Sequence, residues 1–463
     1  MNFNDIDKWL EEKLPEMEKD LAELVKHNSI EAESAPDAPF GTEVEAALED
    51  ALKVAERLGF STRNEHYYGI ADMGGTAGED GDFYAVLGHL DVVPAVPRDW
   101  EHDPFSLTAE GDRLYGRGTM DDKGPMLAAL YGAAALAKAG FEPDAFVRFI
   151  FGTNEETHMA GVKKYKEREK MPIGGFTPDA DWPLVIGEKG ICQFNVGRQW
   201  IDAEEKAFLI LNKINAGTAN NIVPAMAEAR FEIGEGAELQ FADSEDITVV
   251  LDGEEIVITA YGTAAHGSAP EQGDNALTKL LRYIDRLDFS PAPAKAFVAD
   301  LVRLTADDKT GKDMGLSGSD EYSVTTVSPN ILHMDRAGGT LTNDMRYRVT
   351  DKPEKYKKLL AQLAERENVS VDYSHVTAPL FADKTAPLVS SLLSAYRDVT
   401  GDMTEPLVIG GGTYAKVIPG MVAFGCEPVD EPSRAHQADE YITRAELLSA
   451  ARVYARAIYN LTK

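Results

Sequence analysis

Cysteine is scarce in this chain, and so are the features that direct proteins into membranes. Cys192 and Cys426 are the two cysteines among 463 residues, which excludes a disulfide framework and a cysteine-type zinc site. The amino terminus, MNFNDIDKWLEEKL, carries acids among its apolar residues, so no signal peptide is predicted. No apolar run approaches the roughly 18 residues of a membrane helix. We therefore expect a cytoplasmic protein that does not contact membranes.

Positive charge is also in short supply. Lys and Arg number 46 against 78 Asp and Glu, which gives a formal net charge of −32. Binding to nucleic acids or anionic lipids needs clustered cations, so we expect neither partner. The acidity is interpreted as a contribution to solubility. The chain is long enough, and at 44% hydrophobic residues apolar enough, for more than one buried core.

Strands and helices alternate in the first part of the chain. Buried strands are predicted at about 83–87, 146–151 and 184–186, and amphipathic helices at about 5–27, 43–58 and 123–139. Pro15 lies inside the first helical pattern and predicts a break or kink there. The order of strand, helix and strand is typical of an α/β sheet with helices on its faces.

The pattern changes after Gly187. Residues 190–380 contain alternating stretches, typical of antiparallel strands, and two helices at about 276–287 and 353–366; further helices follow at 387–400 and 444–460. We predict an α/β domain with a mixed sheet flanked by helices, formed by residues 1–188 and 381–463, and an inserted α+β domain at 189–380. The insertion contains two units of strand, helix and strand, a pattern that an internal duplication would also produce.

Polar side chains stand beside the predicted strands of the α/β domain, where open sheets keep their sites. His89 and Asp91 follow the strand at 83–87. An imidazole and a carboxylate two residues apart suit a metal ligand and the group that orients it. Taken alone, this pair is more often structural.

Three more acidic loops have the same placement. Two adjacent aspartates stand among glycines in YGRGTMDDKGP (115–125), and an N-cap would explain one of them but not both. In NEETHM (154–159), one glutamate could bind a metal while its neighbour acts as general base, although paired surface glutamates are commonly just solvated. Asp179 in TPDADWP (177–183) carries little weight by itself.

The set of loops means more than each loop alone. Histidine and carboxylate without cysteine suit a divalent, hydrolytic metal site. Two metals ~3.5–4 Å apart need a bridging carboxylate and terminal ligands on each side. Zinc fits these ligands, and manganese and cobalt fit them as well.

The sequence resembles the co-catalytic zinc peptidases that include carboxypeptidase G, aminoacylase, peptidase T and peptidase V. The resemblance rests on ordered motifs from Gly88 to His436: GHLDVVP (88–94), YGRGTMDDKGP, NEETHM, the first Asp of TPDADWP, HGSAP (266–270) and the His of RAHQADEYI (434–442). The length of the insertion and the segments GGGTYAK (410–416) and HQADEYI (436–442) look most like peptidase V, a group of bacterial dipeptidases.

The resemblance implies two bound metal ions and a role for each matching residue. His89 would bind one metal, His436 would bind the other, and Asp121 would bridge both. The peptide bond between Asp121 and Asp122 would be cis. Glu156 and Asp179 would be the terminal carboxylate ligands. Glu155 would take the proton of the attacking water and pass it to the leaving amine. Asp91 would clamp the ring of His89.

The inserted domain would act as a lid over the substrate. The resemblance implies that His266 stabilises the oxyanion, a role worth ~3–4 kcal/mol, with Asn221 beside it. Arg346 would hold the substrate carboxylate bidentately, and Arg348, two residues on and on the same predicted strand face, is a rival. Lys416 departs from the resemblance, which leads us to expect an arginine.

The leading hypothesis is hydrolysis of small unblocked dipeptides. An N-acyl amino acid deacylase or a carboxypeptidase would use the same metals and base with a different groove. A non-catalytic peptide-binding homologue is the alternative from another class, and loss of a ligand or of the base would favour it. Because the long insertion could supply the lid histidine that a partner subunit supplies in shorter relatives, we expect a monomer.

Overall fold

Two stretches of chain, one from each end, form one unit of the protein in a computed structural model, and the residues between them form a second. The structure describes residues 1–74, 81–201, 208–234, 241, 244–428 and 431–463. Unit 1 consists of Met1–Gly187 and Ala382–Lys463, and unit 2 of Glu188–Phe381. Each unit has a hydrophobic core of its own.

The helices of the described chain have the following bounds: α1 Phe3–Val25, α2 Thr42–Arg57, α3 Lys123–Lys138, α4 Ala160–Arg168, α5 Ala276–Ile284, α6 Ala292–Leu304, α7 Pro353–Glu367, α8 Pro387–Thr400 and α9 Arg444–Thr462. The strands have these bounds: β1 Ser61–Asn64, β2 Tyr68–Met73, β3 Phe83–His89, β4 Thr108–Glu110, β5 Arg113–Tyr115, β6 Phe146–Gly152, β7 Gly174–Thr177, β8 Val185–Glu188, β9 Gly190–Gln199, β10 Leu209–Ala216, β11 Met226–Ile233, β12 Ile247–Asp252, β13 Glu255–Tyr261, β14 Thr326–Asp335, β15 Gly338–Tyr347, β16 Ser370–Thr377, β17 Leu380–Phe381, β18 Leu407–Ile409, β19 Met421–Ala423 and β20 Tyr441–Thr443.

A mixed sheet forms the centre of unit 1. Its neighbouring strands follow the order β1, β2, β6, β3, β7, β19, β8. The pairs β6–β3, β3–β7 and β7–β19 are parallel, whereas β1–β2, β2–β6 and β19–β8 are antiparallel. Helices share the core of this sheet, which confirms the predicted α/β class.

Helix α3 lies deepest in the core of unit 1. Its sequence, KGPMLAALYGAAALAK, is apolar nearly all round, and nearly all of its side chains are buried, as expected of a helix covered on every side. Gly132 permits close contact with α9, because a Cβ there would lie 2.7 Å from the carbonyl oxygen of Ala451. The packing of α3 fixes the loop at its amino end, which carries the paired aspartates.

Helix α1 and strand β7 of unit 1 differ from the sequence predictions. Of the break or kink predicted at Pro15, the break is wrong, because helix α1 continues through this residue. Leu10 and Met17, on either side of the proline, are both fully buried in one core, and this shared packing outweighs the lost backbone hydrogen bond. Strand β7, of sequence GGFT, was not predicted because two of its four residues are glycines and no apolar run marks it.

A single antiparallel sheet forms the centre of unit 2. Its strands follow the order β12, β13, β11, β10, β14, β15, β9, β16, and every neighbouring pair is antiparallel. Helices α5, α6 and α7 supply apolar side chains to its core. In the described part of the chain, no helix combines the length and apolarity needed to cross a membrane.

Candidate metal centre

Three parallel strands of unit 1 deliver acidic and histidine side chains to one edge of the sheet. His89 ends β3, the pair Glu155 and Glu156 follows β6, and Asp179 follows β7. Because β6, β3 and β7 are adjacent and parallel, their carboxyl ends meet at the same edge. Asp121 joins them from the loop before α3.

The side chains form two groups that share one carboxylate. The first is His89, Asp121 and Asp179, and the second is Asp121, Glu156 and His436, with the ligand atoms of each group within 4.8 Å of one another. The Nε2 atom of His89 lies 2.9 Å from Oδ1 of Asp121. The Nε2 atom of His436 lies 3.0 Å from Oδ2 of the same carboxylate and 3.1 Å from Oε2 of Glu156. Asp121 thus presents one oxygen to each histidine.

Crowded acids shift the titration of this centre. Burial, together with the negative charge of Asp121, raises the pKa of Asp179 to about 8. Burial and Asp121 also raise the pKa of Glu156. Burial acts against ionisation of Asp121, but hydrogen bonds from His436 and His89 outweigh it and lower the pKa. A divalent cation would relieve this repulsion, and two imidazoles with three carboxylates are a donor set that such ions prefer.

Asp91 fixes the loop geometry through contacts that differ from the expected clamp. The Nδ1 atom of His89 lies 2.9 Å from the backbone oxygen of Asp91 and 3.6 Å from its carboxylate. An Nδ1–H that donates to this carbonyl leaves Nε2 available for a metal. The carboxylate of Asp91 accepts hydrogen bonds from the backbone N–H groups of Glu155 and Glu156, at 3.0 and 3.1 Å. Asp91 therefore ties the β3 loop to the glutamate loop.

The doubled aspartates do not act as a helix cap. Asp122 occupies the N-cap position of α3, but its side chain makes no capping bond. Instead, its fully buried Oδ2 accepts from the backbone N–H of His89 at 3.2 Å. The Asp121–Asp122 peptide bond is cis, as the resemblance implies. Gly88 is required beside this carboxylate, because a Cβ there would lie 2.1 Å from Oδ2 of Asp122.

Glu155 belongs to neither ligand group, although its backbone is held by Asp91. Burial and the nearby charge of Asp179 raise its pKa well above the usual range. A carboxyl group whose pKa is shifted toward neutrality can both accept and donate a proton at working pH.

Tyr414 is a site neighbour that the sequence analysis did not assign. Its buried ring meets that of His89 edge to face, with centroids 6.2 Å apart. Gly152 makes room for it, because a Cβ there would lie 2.4 Å from the tyrosine oxygen. The only sequence signal was its place in GGGTYAK. Lys416, in the same segment, donates from Nζ to the backbone oxygen of Gly411 at 3.3 Å.

The predicted residues of unit 2 lie in neighbouring segments. His266 is exposed, and its Nδ1 lies 2.7 Å from Oγ of Ser268. Asn221, also exposed, accepts on its backbone oxygen a hydrogen bond of 2.6 Å from the N–H of Gly267. The two candidates for oxyanion contact are therefore adjacent.

The two candidate arginines differ in their surroundings. Arg346 is buried, and its Nε and Nη2 donate to the two carboxylate oxygens of Asp344 at 2.8 and 2.9 Å. Asp344 also approaches the histidine loop, since a Cβ on Gly267 would lie 2.9 Å from its Oδ2. Arg348 lies one residue beyond the end of β15. It donates to Asp351 at 2.8 Å and to the backbone oxygen of Ser319 at 2.6 Å.

Comparison with known proteins finds proteins that are similar to this chain along its whole length. The model of the family described as "Peptidase family M20/M25/M40" matches residues 85–460 of this chain. The β-Ala-Xaa dipeptidase of Lactobacillus delbrueckii subsp. lactis is 34% identical, over 100% of this chain and 99% of its own. Human carnosine dipeptidase 1 superposes with a TM-score of 0.56 at 17% identity, covering 100% of this chain and 99% of its own. The dipeptidase Dug1p of Saccharomyces cerevisiae superposes with a TM-score of 0.57 at 14% identity, covering 100% and 98%. The two structural matches bear on the fold alone.

Proposed function

Because this chain belongs to the peptidase family M20/M25/M40, a family of metal-dependent enzymes, we propose that it hydrolyses dipeptides with two divalent ions held around Asp121. The observation that carries the proposal is the shared carboxylate, which presents one oxygen to His89 and the other to His436. Two separate sites would not need a common ligand. The similarity to the Lactobacillus relative along both chains supports the same substrate class.

The ligand assignment follows the two groups of side chains. We assign one ion to His89, Asp121 and Asp179, and the other to Asp121, Glu156 and His436. Zinc is the proposed ion, and manganese and cobalt suit the same donors. When bound, such a pair polarises the scissile carbonyl and lowers the pKa of water.

Glu155 is the proposed general base. It would accept the proton of the attacking water and then deliver it to the nitrogen of the leaving amino acid. Support comes from its raised pKa and from its position outside both ligand groups. Asp91 holds the backbone of this residue and would keep the base in place.

The remaining roles fall to unit 2, for which we propose a lid function. His266 and Asn221 would donate hydrogen bonds to the oxyanion. Arg346 would bind the substrate carboxylate, with Asp344 orienting its guanidinium plane. A requirement for this carboxylate and for a free amino group would separate a dipeptidase from a deacylase. The length of unit 2 supports a monomer, and light scattering during size-exclusion chromatography would test that.

The first experiment compares a free dipeptide with its N-acetyl twin, each assayed with Zn²⁺, with Mn²⁺ and with a chelator. We expect metal-dependent release of amino acids from the free dipeptide alone. A β-alanyl dipeptide tests whether the substrate in the name of the Lactobacillus relative applies here. Cleavage of the acetylated twin alone would replace the proposal with a deacylase. No cleavage of any of the three would indicate a non-catalytic homologue.

A further inference from the structure

A buried ion pair links the two loops that carry Asp121 and His436. Glu440 is 1% exposed and Arg117 is 3% exposed, and they lie in segments far apart in sequence. Nη1 of Arg117 donates to Oε2 of Glu440 at 2.7 Å. Neither residue is a member of a metal-ligand group, so metal ligation does not explain their burial, which is costly for charged side chains.

The contacts of Glu440 lead to the shared ligand. Its Oε1 accepts hydrogen bonds from the backbone N–H groups of Met120, at 2.8 Å, and Asp121, at 3.1 Å. One carboxylate oxygen therefore fixes the peptide that carries the carboxylate common to both groups. The other oxygen is held by Arg117.

The contacts of Arg117 lead to the second histidine. Its Nη2 donates to the backbone oxygen of His436 at 3.4 Å, and its guanidinium lies over the ring of Trp100, with 5.0 Å to the centroid. The chain of contacts from Asp121 through Glu440 and Arg117 to His436 is thus continuous. It joins the backbones of Asp121 and His436, two of the three residues of the second group.

The loop of His436 needs such support from outside. His436 and Asp439 both have positive φ, at 65° and 54°, a conformation that costs free energy in residues other than glycine. The loop precedes β20 and has no strand pairing of its own. Its geometry therefore depends on side-chain contacts of the kind that Arg117 and Glu440 provide.

From these contacts we propose that Arg117 and Glu440 are positioning residues that set the affinity of the second metal site, formed by Asp121, Glu156 and His436. The first site depends on them less, because His89 and Asp179 are anchored by β3 and β7. Outer contacts of this kind change metal affinity by about 10- to 100-fold when removed. The inference rests on the two-metal site of the proposed function.

The test is calorimetric titration of chelator-treated protein with Zn²⁺. In Glu440→Gln, one oxygen becomes an NH₂ group that must face a backbone N–H or the guanidinium, donor against donor. We expect the first equivalent to lose less affinity than the second, which should bind about 10- to 100-fold more weakly than in the wild type.

The matched control is Asp72→Asn, which breaks another largely buried pair of unit 1. Asp72 accepts from Nε and Nη2 of Arg148, both at 2.8 Å, between β2 and β6. This variant should lose thermal stability to a similar degree, yet bind both equivalents normally. Equal loss of metal in the two variants would overturn the proposal in favour of a general effect on stability.

A second variant guards against failure of Glu440→Gln to fold. Arg117→Lys keeps a positive charge beside Glu440 but lacks the second donor arm to His436, so it should weaken the second equivalent severalfold. Unchanged second affinity in the folded variants overturns the inference alone. A wild-type protein that binds fewer than two ions overturns the proposed function and the inference with it.

Discussion

The candidate histidines His89 of unit 1 and His266 of unit 2 have opposite surroundings. In unit 1, His89 is fully buried and contacts Asp121 and Asp91. In unit 2, His266 is exposed in a loop between β13 and α5. Metal ligands must hold a geometry before the ion arrives, whereas a donor to a transient oxyanion acts only while substrate is present. The difference predicts that unit 1 residues control metal binding and unit 2 residues control turnover alone.

The largest effect should come from Glu155, a unit 1 residue that we expect to control turnover rather than metal binding. Glu155 lies among the ligands but outside both groups, so Glu155→Gln should lower kcat by about 10²–10⁴-fold and leave two ions bound. Glu156→Gln is the matched neighbour and should weaken metal binding as well. Turnover and metal content measured on the same preparations decide the case, and an active Glu155→Gln protein would refute the assigned base.

Next in size is the unit 2 counterpart, His266→Ala. Loss of one oxyanion donor should lower kcat by about 10²–10³-fold, with two ions still bound at wild-type affinity. The measurement is steady-state kinetics together with calorimetric metal titration. Weakened metal binding in this variant would contradict the prediction that unit 2 residues control turnover alone.

A smaller effect is expected at Arg346, the one buried candidate of unit 2. Loss of a charge-assisted contact to the substrate should lower kcat/KM by about 10- to 100-fold. Because removal of Arg346 would leave Asp344 buried without its partner, Asp344→Asn/Arg346→Met is compared with Asp344→Asn alone. The preference for a dipeptide over its C-terminal amide should disappear in the double variant and persist in Arg348→Met. The reverse result would assign the carboxylate to Arg348.

The effect that is smallest per step of the experiment is a pH dependence that belongs to unit 1. Asp179, with its pKa raised to about 8 by burial and Asp121, holds a proton at pH 7 that an arriving ion must displace. Metal affinity should therefore fall as the pH falls from 8 to 6, by about tenfold per pH unit for each proton released. Titrations at three pH values measure the slope. His266→Ala should show the same slope, and a flat profile in the wild type would contradict the ligand assignment.

The sequence predicted most of the elements that position the centre. Strand β3 was predicted because FYAVL is an uninterrupted apolar run, and β6 because FVRFIF is apolar except for Arg148. The polar loops beyond these strands were assigned to the site from that placement. Strand β7 escaped because GGFT has no such run. Because β7 was not predicted, the sequence did not place Asp179 at the end of a buried strand, and its loop was given little weight.

Contacts between distant segments could not be read from one sequence. Arg117 and Glu440 stand 323 positions apart, and neither their burial nor their pairing leaves a local pattern. The carboxylate of Asp91 was expected at the ring of His89, but its closer contacts are with the backbone of the glutamate loop. In both cases the residue types indicate that the side chains make charged hydrogen bonds. They do not indicate the partners, which depend on how β5, β6 and β20 come together.

His436 lies in the last segment of the chain, whereas the other four ligands precede residue 180. A chain that stops before His436 lacks the second group, and it also lacks α9, against which Gly132 packs α3 behind the loop of Asp121. Strand β7, which precedes Asp179, likewise pairs with β19 from the later stretch. Neither proposed group can therefore take its final geometry until the second stretch of unit 1 has joined the first. Uptake of metal would then report, during folding, that the two stretches have met.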